Sequence, residues 1–163
     1  MPQKPGRPLE LTVSTPEHLE TLKTWFPDRD SLWQWGSPHF RHPFTDESFL
    51  EDAFWGKMPT YSALDEEGSL AAFGQYYERA GRCHLARLVV DPVRRSAGLG
   101  RWFTAALLEI GLRDLGAAEA SLFVYRDNAP AVCCYRSLGF REHEWPPDRE
   151  PWPEVMFMVR LAP

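Results

Sequence analysis

The sequence predicts an α+β fold (an α/β three-layer arrangement) built on a mixed, mostly antiparallel central sheet of about seven strands with flanking helices. Two observations support this prediction. Segments with strand character are interrupted by helical segments, and short glycine-containing turns join two successive pairs of strands. With 163 residues, the chain fits a single domain, residues 1–163, around one hydrophobic core.

Seven segments have the length and composition of strands and are bounded by turn residues. They lie at residues 9–13, 60–64, 70–77, 83–90 and 121–125, from residue 140 onward, and at 155–161. The turns at 65–68 and 79–82 are short enough to close antiparallel hairpins. Helices are expected at 98–115 and 128–138, each followed by a glycine. A proline-rich excursion at 146–153 separates the last two strands.

Two more helices are predicted in the N-terminal part of the chain. The first begins at Ser14 or Thr15, with Glu17 placed for a capping box, and the second begins at Thr45. Between them, residues 27–43 are rich in Pro, Trp, His and Phe. That composition predicts an irregular segment.

Charge and cysteine content exclude several classes of protein. The formal net charge of −5 gives no electrostatic reason to expect a nucleic-acid or membrane-surface partner. No stretch reaches the ~18 unbroken apolar residues of a membrane span, and no apolar segment follows the N-terminus as in a signal peptide. Cys83, Cys133 and Cys134 make no disulfide framework, which predicts a cytoplasmic location. His39 and His42 lack a carboxylate at ligand spacing, so no metal is expected.

The segment at 88–100, Leu-Val-Val-Asp-Pro-Val-Arg-Arg-Ser-Ala-Gly-Leu-Gly, has the properties of an anion-binding loop. An apolar strand runs into a basic loop with two glycines, which opens an amphipathic helix. Unpaired N–H groups at a helix start attract negative charge, and glycines allow a ligand to approach the backbone closely. Arg94, Arg95 and Arg101 add positive charge. The segment therefore suits a pyrophosphate.

Two common phosphate-binding motifs do not fit this loop. A P-loop ends in Gly-Lys-Ser/Thr, whereas Arg101 and Trp102 follow Gly100 here. A dinucleotide fingerprint needs a small residue where this chain has Phe103. The loop therefore belongs to another class of anion site.

Two segments together identify that class. Residues 95–100, Arg-Ser-Ala-Gly-Leu-Gly, match the acetyl-CoA signature Arg/Gln-x-x-Gly-x-Gly/Ala, and the Val-Asp-Pro-x-x-Arg pattern at 90–95 is typical of its surroundings. Residues 128–140 look like a second signature, Asn-x-x-Ala-x-x-x-Tyr-x-x-x-Gly-Phe. With both in the right order, the chain resembles the Gcn5-related N-acetyltransferase (GNAT) superfamily. The close resemblance covers residues 83–140.

The resemblance implies a binding site for acetyl-CoA, which acts as co-substrate. The strand before the loop would pair its backbone with the pantetheine arm, and the loop amides would hold the pyrophosphate. The residues so implied are Leu88, Val89, Val90, Arg95, Ser96, Ala97, Gly98, Leu99 and Gly100, with Asn128 contacting the cofactor arm.

Acetyl transfer to an amine requires a neutral nucleophile, a polarised carbonyl and a proton for the departing thiolate. By resemblance, Tyr135 lies near the thioester sulfur, where its phenol would act as general acid. His84 stands where related enzymes often carry the residue that accepts the amine proton. A solvent-facing strand histidine is the alternative interpretation of His84, with Glu78 or ordered water as other proton acceptors.

The sequence leaves the acceptor open. Aromatic residues are concentrated between residues 25 and 61, where the family usually forms the acceptor wall, although most of them also suit a hydrophobic core. The resemblance implies direct transfer in a ternary complex to a primary amine of a small molecule or peptide, with a homodimer possible for this fold. An inactive acyl-CoA sensor and an assembly protein that uses the aromatic segment are the alternatives.

Overall fold

The structure, a computed structural model, describes residues 9–95 and 98–163. Its strands are β1 (Glu10–Val13), β2 (Thr60–Leu64), β3 (Leu70–Arg79), β4 (Arg82–Val90), β5 (Ala120–Tyr125), β6 (Arg141–Glu142) and β7 (Val155–Arg160). Its helices are α1 (Pro16–Lys23), α2 (Arg29–Gly36), α3 (Asp46–Asp52), α4 (Leu99–Leu115) and α5 (Ala129–Ser137), with a 3₁₀ turn at Pro92–Arg94.

The predicted fold class is confirmed. The strands form one mixed sheet in the order β1-β2-β3-β4-β5-β7-β6. Antiparallel pairing joins β1 to β2, β2 to β3, β5 to β7 and β6 to β7. The β4–β5 pair is parallel, with Cys83 opposite Ala120 and His84 opposite Ser121. Helix α4 makes the crossover that a parallel pair requires.

The described chain divides into two compact units, residues 9–75 with 87–103 and residues 76–86 with 104–163. The first unit holds β1, β2, the helices α1 to α3 and the segment that leads into α4. The second holds β5 to β7 and α5. No helix in the described ranges is long and apolar enough to cross a membrane.

An aromatic core fills the first unit. The Trp35 ring stacks on Phe26 with centroids 4.5 Å apart, and lies 6.0 Å from both Phe49 and Phe73. Phe40 is buried in the same cluster. Stacked and edge-on ring contacts of this kind add to the burial of large apolar surfaces. Much of the aromatic segment noted in the sequence therefore forms core rather than an open wall.

The expectation of an irregular segment at 27–43 is wrong, because helix α2 forms inside it. Asp28 caps the helix by accepting a hydrogen bond from the backbone N–H of Ser31 at 2.7 Å. Leu32 is fully buried on the inner face. Burial of this single apolar face stabilises the helix enough to offset the low helix propensity of its aromatic residues. A prediction from composition alone gave that low propensity too much weight.

Helix α1 begins one residue later than its predicted capping box requires. Thr15 is the N-cap, and its backbone N–H donates to Nδ1 of His18 at 3.1 Å. The residue that reaches back is therefore His18 and not Glu17, because the third helical position shifts with the cap. Helix α3 begins as predicted, with the Thr45 hydroxyl accepting from the N–H of Ser48 at 3.0 Å.

In the second unit, helix α4 packs closely on the sheet at Gly111. A Cβ atom built on Gly111 would lie 2.5 Å from the Cys83 sulfur and 3.2 Å from the Tyr76 ring. Both neighbours are buried, and the Tyr76 hydroxyl donates to the Asp114 carboxylate at 2.9 Å, which fixes the ring. Glycine is therefore required here by the close approach of helix and strand.

We expect Gly111→Ala to lower the free energy of unfolding by about 2 kcal/mol, because overpacking forces the sheet and helix apart. Gly100→Ala is the matched control on the same helix. Among the described residues its Cβ would meet the Val90 side chain alone, at 3.6 Å, an ordinary contact, so alanine's helix propensity should leave stability unchanged or raise it by up to ~1 kcal/mol. Urea unfolding of both variants checks this, and equal stabilities would contradict the assigned packing.

Candidate functional site

The chain leaves β4 through a tightly held turn. After Val90, the Asp91 backbone N–H donates to the Ala71 carbonyl at 2.9 Å, which joins the turn to β3. The Asp91 carboxylate accepts from the N–H of Val93 at 3.1 Å and from Nε of Arg94 at 3.2 Å. The Asp-Pro pair therefore forms a capped 3₁₀ turn that sets the direction of the following loop.

Arg94 has a structural task in this turn. Its guanidinium pairs with the carboxylates of Asp65, in the β2–β3 turn, and of Asp91. The Arg94 guanidinium holds the pKa of Asp65 below its ordinary value, while Asp65 raises the pKa of Arg94. Two carboxylates compensate the charge of Arg94, so its guanidinium holds the turn in place and is not available to a phosphate.

We expect Asp65→Asn to lower stability by about 1 kcal/mol at neutral pH, because the amide keeps the turn bonds from Ser69 and Glu67 but loses the charge facing Arg94. The folded-state pKa of Asp65 is lowered, so its contribution is present above about pH 4 and is lost as pH falls through the lowered value. Unfolding free energies from pH 7 to pH 2 should therefore fall less steeply in the variant. Glu67→Gln in the same turn is the control, and an Asp65→Asn profile parallel to wild type would contradict this role.

The loop continues to the first turn of α4. Ser96 and Ala97 lie outside the described residues, and Arg95 is exposed, with its Nε 3.4 Å from the Val90 carbonyl. Gly98 has φ +77°, a left-handed conformation that favours glycine, and a Cβ there would meet no atom of the described residues within 4 Å. Among those residues, the space beside Gly98 is therefore open to a ligand. A helix start with such a position and the exposed Arg95 nearby suits an anion.

The second signature forms helix α5. Asn128 is the N-cap, and its side-chain oxygen lies 3.4 Å from the N–H of Ala131. Tyr135, two turns later, is partly exposed and packs edge-on against Phe140, with ring centroids 6.1 Å apart. Desolvation by burial, reinforced by Cys134, raises the pKa of the Tyr135 phenol above its ordinary value. The phenol is therefore protonated throughout the neutral range, as a proton donor must be.

His84 is buried in β4 and does not face solvent. Its Nδ1 lies 2.8 Å from the Ser121 hydroxyl on the parallel strand β5. The Tyr77 and Phe123 rings lie on either side along the sheet, each with its centroid 5.1 Å from the imidazole. The bond to Ser121 fixes the ring orientation and directs the other ring nitrogen, Nε2, away from Ser121.

The other candidates from the sequence have ordinary surroundings. The Glu78 carboxylate is exposed and accepts a hydrogen bond from the Gly81 N–H at 2.6 Å, which closes the β3–β4 hairpin. Cys133 is exposed and Cys134 is partly exposed, and neither of them forms a disulfide bond. Within residues 9–95 and 98–163, no three His, Cys, Asp or Glu side chains gather as metal ligands would.

One residue outside both sequence signatures lies directly before the segment of β4 that is implied to bind pantetheine. Arg87 has φ +51° within β4, so this non-glycine residue forms an irregularity directly before Leu88. Its guanidinium donates to the side-chain oxygen of buried Gln75 at 2.9 Å. The available signal was a cation inside the otherwise apolar run Leu-Ala-Arg-Leu-Val-Val at 85–90.

Comparison with known proteins supports the resemblance. A mycothiol acetyltransferase of Clavibacter michiganensis is 40% identical over 80 residues, 49% of this chain and 26% of that protein. The ribosomal protein bS18-alanine N-acetyltransferase of Escherichia coli is 31% identical over 100 residues, 61% of this chain and 66% of that protein. The chain thus spans less than two thirds of the length of these curated relatives.

Solved structures share the fold. A spermidine N-acetyltransferase from Vibrio cholerae, in complex with CoA and spermine, superposes with a TM-score of 0.72 at 16% identity, over 93% of this chain and 94% of that one. The crystal structure of the Escherichia coli ribosomal-protein-S18-alanine N-acetyltransferase gives 0.65 at 20% identity, over 93% and 92%. Residues 29–140 match the Acetyltransferase (GNAT) family. The chain therefore belongs to the GNAT acetyltransferase family.

Proposed function

We propose that the chain is an acetyl-CoA-dependent N-acetyltransferase that acts as one domain and moves an acetyl group to a primary amine. The observation that carries this proposal is the start of α4, which follows the held turn at Asp91 and has open space at Gly98 among the described residues. The N–H groups of a first helical turn lack partners within the helix, and with the helix dipole and the exposed Arg95 they suit the pyrophosphate of coenzyme A. Family membership supports the use of an acyl-CoA.

The proposed cofactor site uses both signatures. The backbone of Leu88, Val89 and Val90, all partly exposed in β4, would pair with the pantetheine arm. The N–H groups of Arg95, Gly98, Leu99 and Gly100 would hold the pyrophosphate, together with those of Ser96 and Ala97, which lie outside the described residues. Asn128 already uses its oxygen as a helix cap, so its amide N–H₂ is the group that would contact the cofactor arm.

In the proposed mechanism the neutral amine attacks the thioester carbonyl carbon within a ternary complex. A C–N bond forms, the C–S bond breaks, and the departing thiolate takes a proton from the Tyr135 hydroxyl. His84 accepts the proton lost by the amine, with its ring held by Ser121.

For the acetyl acceptor we propose a chemical class, a primary amine, and no individual compound. The relatives named above include acetyltransferases of mycothiol and of a ribosomal protein, so both a small molecule and a peptide amine fit the family. The net charge of −5 gives no support to a nucleic-acid or membrane-surface partner. We place the protein in the cytoplasm and keep a homodimer as its proposed assembly.

Release of free thiol from acetyl-CoA tests this function. Thiol release that depends on one or more amines from a panel of small amines and N-terminal peptides is the expected result. An acyl-CoA sensor, the alternative, would bind acetyl-CoA with no amine-dependent release at any enzyme concentration. That second outcome would contradict the proposed enzymatic activity, while binding of acetyl-CoA would still support the proposed cofactor site.

A further inference from the structure

Part of the proline-rich excursion lies against the sheet close to the proposed base. Residues 144–151, here termed the β6–β7 segment, belong to the second unit together with β5. Phe123 lies on the same sheet face as Ser121, the hydrogen-bond partner of His84, because alternate residues of a strand point to the same side. The Phe123 centroid is 5.1 Å from the His84 ring and 4.9 Å from the Trp145 ring. Trp145 is therefore two ring contacts from the proposed base.

Side chains hold the β6–β7 segment in this place. The Asp148 carboxylate accepts a hydrogen bond from the Arg79 guanidinium of β3 at 3.2 Å. The Arg149 guanidinium lies 4.7 Å from the Phe123 centroid. Within the described residues, no backbone hydrogen bond joins the segment to a strand, and three prolines restrict its backbone. The segment is thus a stiff wall that is attached to the sheet by side chains.

The β6–β7 segment forms a cavity of about 470 Å³, within the size range of sites for small molecules. The apolar part of its lining consists of Trp145, Pro146, Pro147 and Pro151. Of its charged lining residues, Asp148 is paired with Arg79, Arg149 lies over Phe123, and Glu150 is exposed. An indole and three proline rings offer flat apolar surfaces, which suit a planar apolar group better than a charged one.

The proposed mechanism restricts where the acceptor can lie. Its amine must come within hydrogen-bond reach of the base, so the rest of the acceptor would extend from His84 along the same sheet face. Phe123 already lies beneath two guanidinium groups, with Arg79 at 5.3 Å and Arg149 at 4.7 Å from its centroid. Trp145, which is partly exposed, is the next ring on this face and the one that lines the cavity.

We propose that Trp145 is a specificity-determining residue and that the acetyl acceptor is a primary amine that carries an aromatic ring. This inference rests on the proposed N-acetyltransferase function. The amine lies beside His84, and the acceptor's ring stacks on the indole in the cavity of the β6–β7 segment. Phe123 supports the indole from the sheet, and the Arg79–Asp148 ion pair keeps the segment in position.

Matched aromatic and saturated amines test this proposal. Phenylethylamine is compared with cyclohexylethylamine, which keeps the amine and the linker but has no aromatic ring. Wild-type kcat/KM is expected to favour the aromatic amine by about twofold to tenfold, the range of an aromatic pair beyond the burial of area. In Trp145→Leu that ratio falls close to one, and in Trp145→Phe it recovers in part. Trp152→Leu keeps the wild-type ratio, because Trp152 packs near Tyr125 and lies outside the cavity lining.

A second pair of acceptors distinguishes a free amine from a peptide. Two tripeptide amides are compared, one with phenylalanine and the other with cyclohexylalanine at the N-terminus. A Trp145-dependent preference among the peptides alone supports an aromatic acceptor at a peptide N-terminus, and a preference among the free amines alone supports a small arylalkylamine. The same ratio in wild type and Trp145→Leu for both pairs would overturn the proposal.

Binding separates this inference from the proposed function. The thermal midpoint is measured with coenzyme A present and phenylethylamine or the phenylalanine peptide added, for wild type and for Trp145→Leu. A rise in wild type that is smaller in the variant supports the aromatic subsite even if no thiol is released. No rise in wild type with either compound, or an equal rise in both proteins, would overturn the subsite, while amine-dependent thiol release would still support acetyl transfer.

Discussion

Replacing Tyr135 with phenylalanine is expected to lower kcat by about a hundredfold or more while leaving the affinity for acetyl-CoA unchanged. The phenol is the proposed donor to the leaving thiolate, and burial raises its pKa, so it is protonated at neutral pH. Phenylalanine keeps the edge-on contact with Phe140, so the fold should be preserved. Steady-state kinetics with the best amine, together with calorimetric binding of acetyl-CoA, separate these two quantities.

Tyr125→Phe is the matched control for this loss. Tyr125 is also partly buried with a raised pKa, and its ring lies 6.5 Å from Trp152, yet no role in transfer is assigned to it. Its removal should leave kcat within about twofold of wild type. Unchanged turnover in Tyr135→Phe would remove this residue as general acid, and equal losses in both variants would indicate a general effect on the second unit.

Gly98→Val is expected to abolish detectable binding of acetyl-CoA. At φ +77° the new side chain projects into the open space proposed for the pyrophosphate and strains the backbone as well. Strain alone lowers stability, so the variant needs a control that carries the same penalty. Calorimetric titration measures the affinity of the variant for coenzyme A, and thermal unfolding measures the stability that the strained backbone costs.

Gly116→Val supplies that control at the far end of the same helix. Gly116 has φ +62°, and no described residue lies within 4 Å of a Cβ built there, so valine meets a similar conformational penalty. Helix α4 has 17 residues, which places the two glycines about 25 Å apart along its axis. Affinity retained in Gly116→Val and lost in Gly98→Val supports the loop assignment. Wild-type affinity in Gly98→Val would show that the pyrophosphate binds elsewhere.

The parts of the fold that could be predicted from sequence are those encoded in local signals. Alternation, glycine turns and the Asp-Pro turn located the strands to within a few residues. The start of α4 could be predicted from Gly98 and Gly100, because the backbone conformations that glycine allows depend on the local sequence alone. Family membership followed from the same segment together with Asn128 and Tyr135.

Long-range packing explains what the sequence did not reveal. Helix α2 depends on burying Leu32 and on the stacking of Trp35, which composition cannot show. The burial of His84 depends on Ser121, 37 residues away on β5. The left-handed φ of Arg87 and its contacts with Gln75 and Phe54 depend on the folded chain, and the sequence shows only a cation within an apolar run.

Arg94 shows the opposite case. The sequence suggested that it attracts an anion, whereas its contacts in the structure give it a structural role. Three arginines near the loop appeared equally suited to an anion. The structure pairs Arg94 with Asp65 and Asp91, so this residue holds the turn in place. Asp65 lies 29 residues before Arg94, and only the β2–β3 hairpin brings the two together.

The thermal midpoint of the wild-type protein, measured with and without acetyl-CoA and beside NADH and ATP, tests whether the chain has an acyl-CoA site. A ligand at ~100 times its dissociation constant stabilises the fold by about 2.7 kcal/mol, which raises the midpoint by a few degrees. We expect such a rise with acetyl-CoA and none with NADH or ATP. No rise at saturating acetyl-CoA, or an equal rise with all three, would contradict the cofactor site and the function built on it.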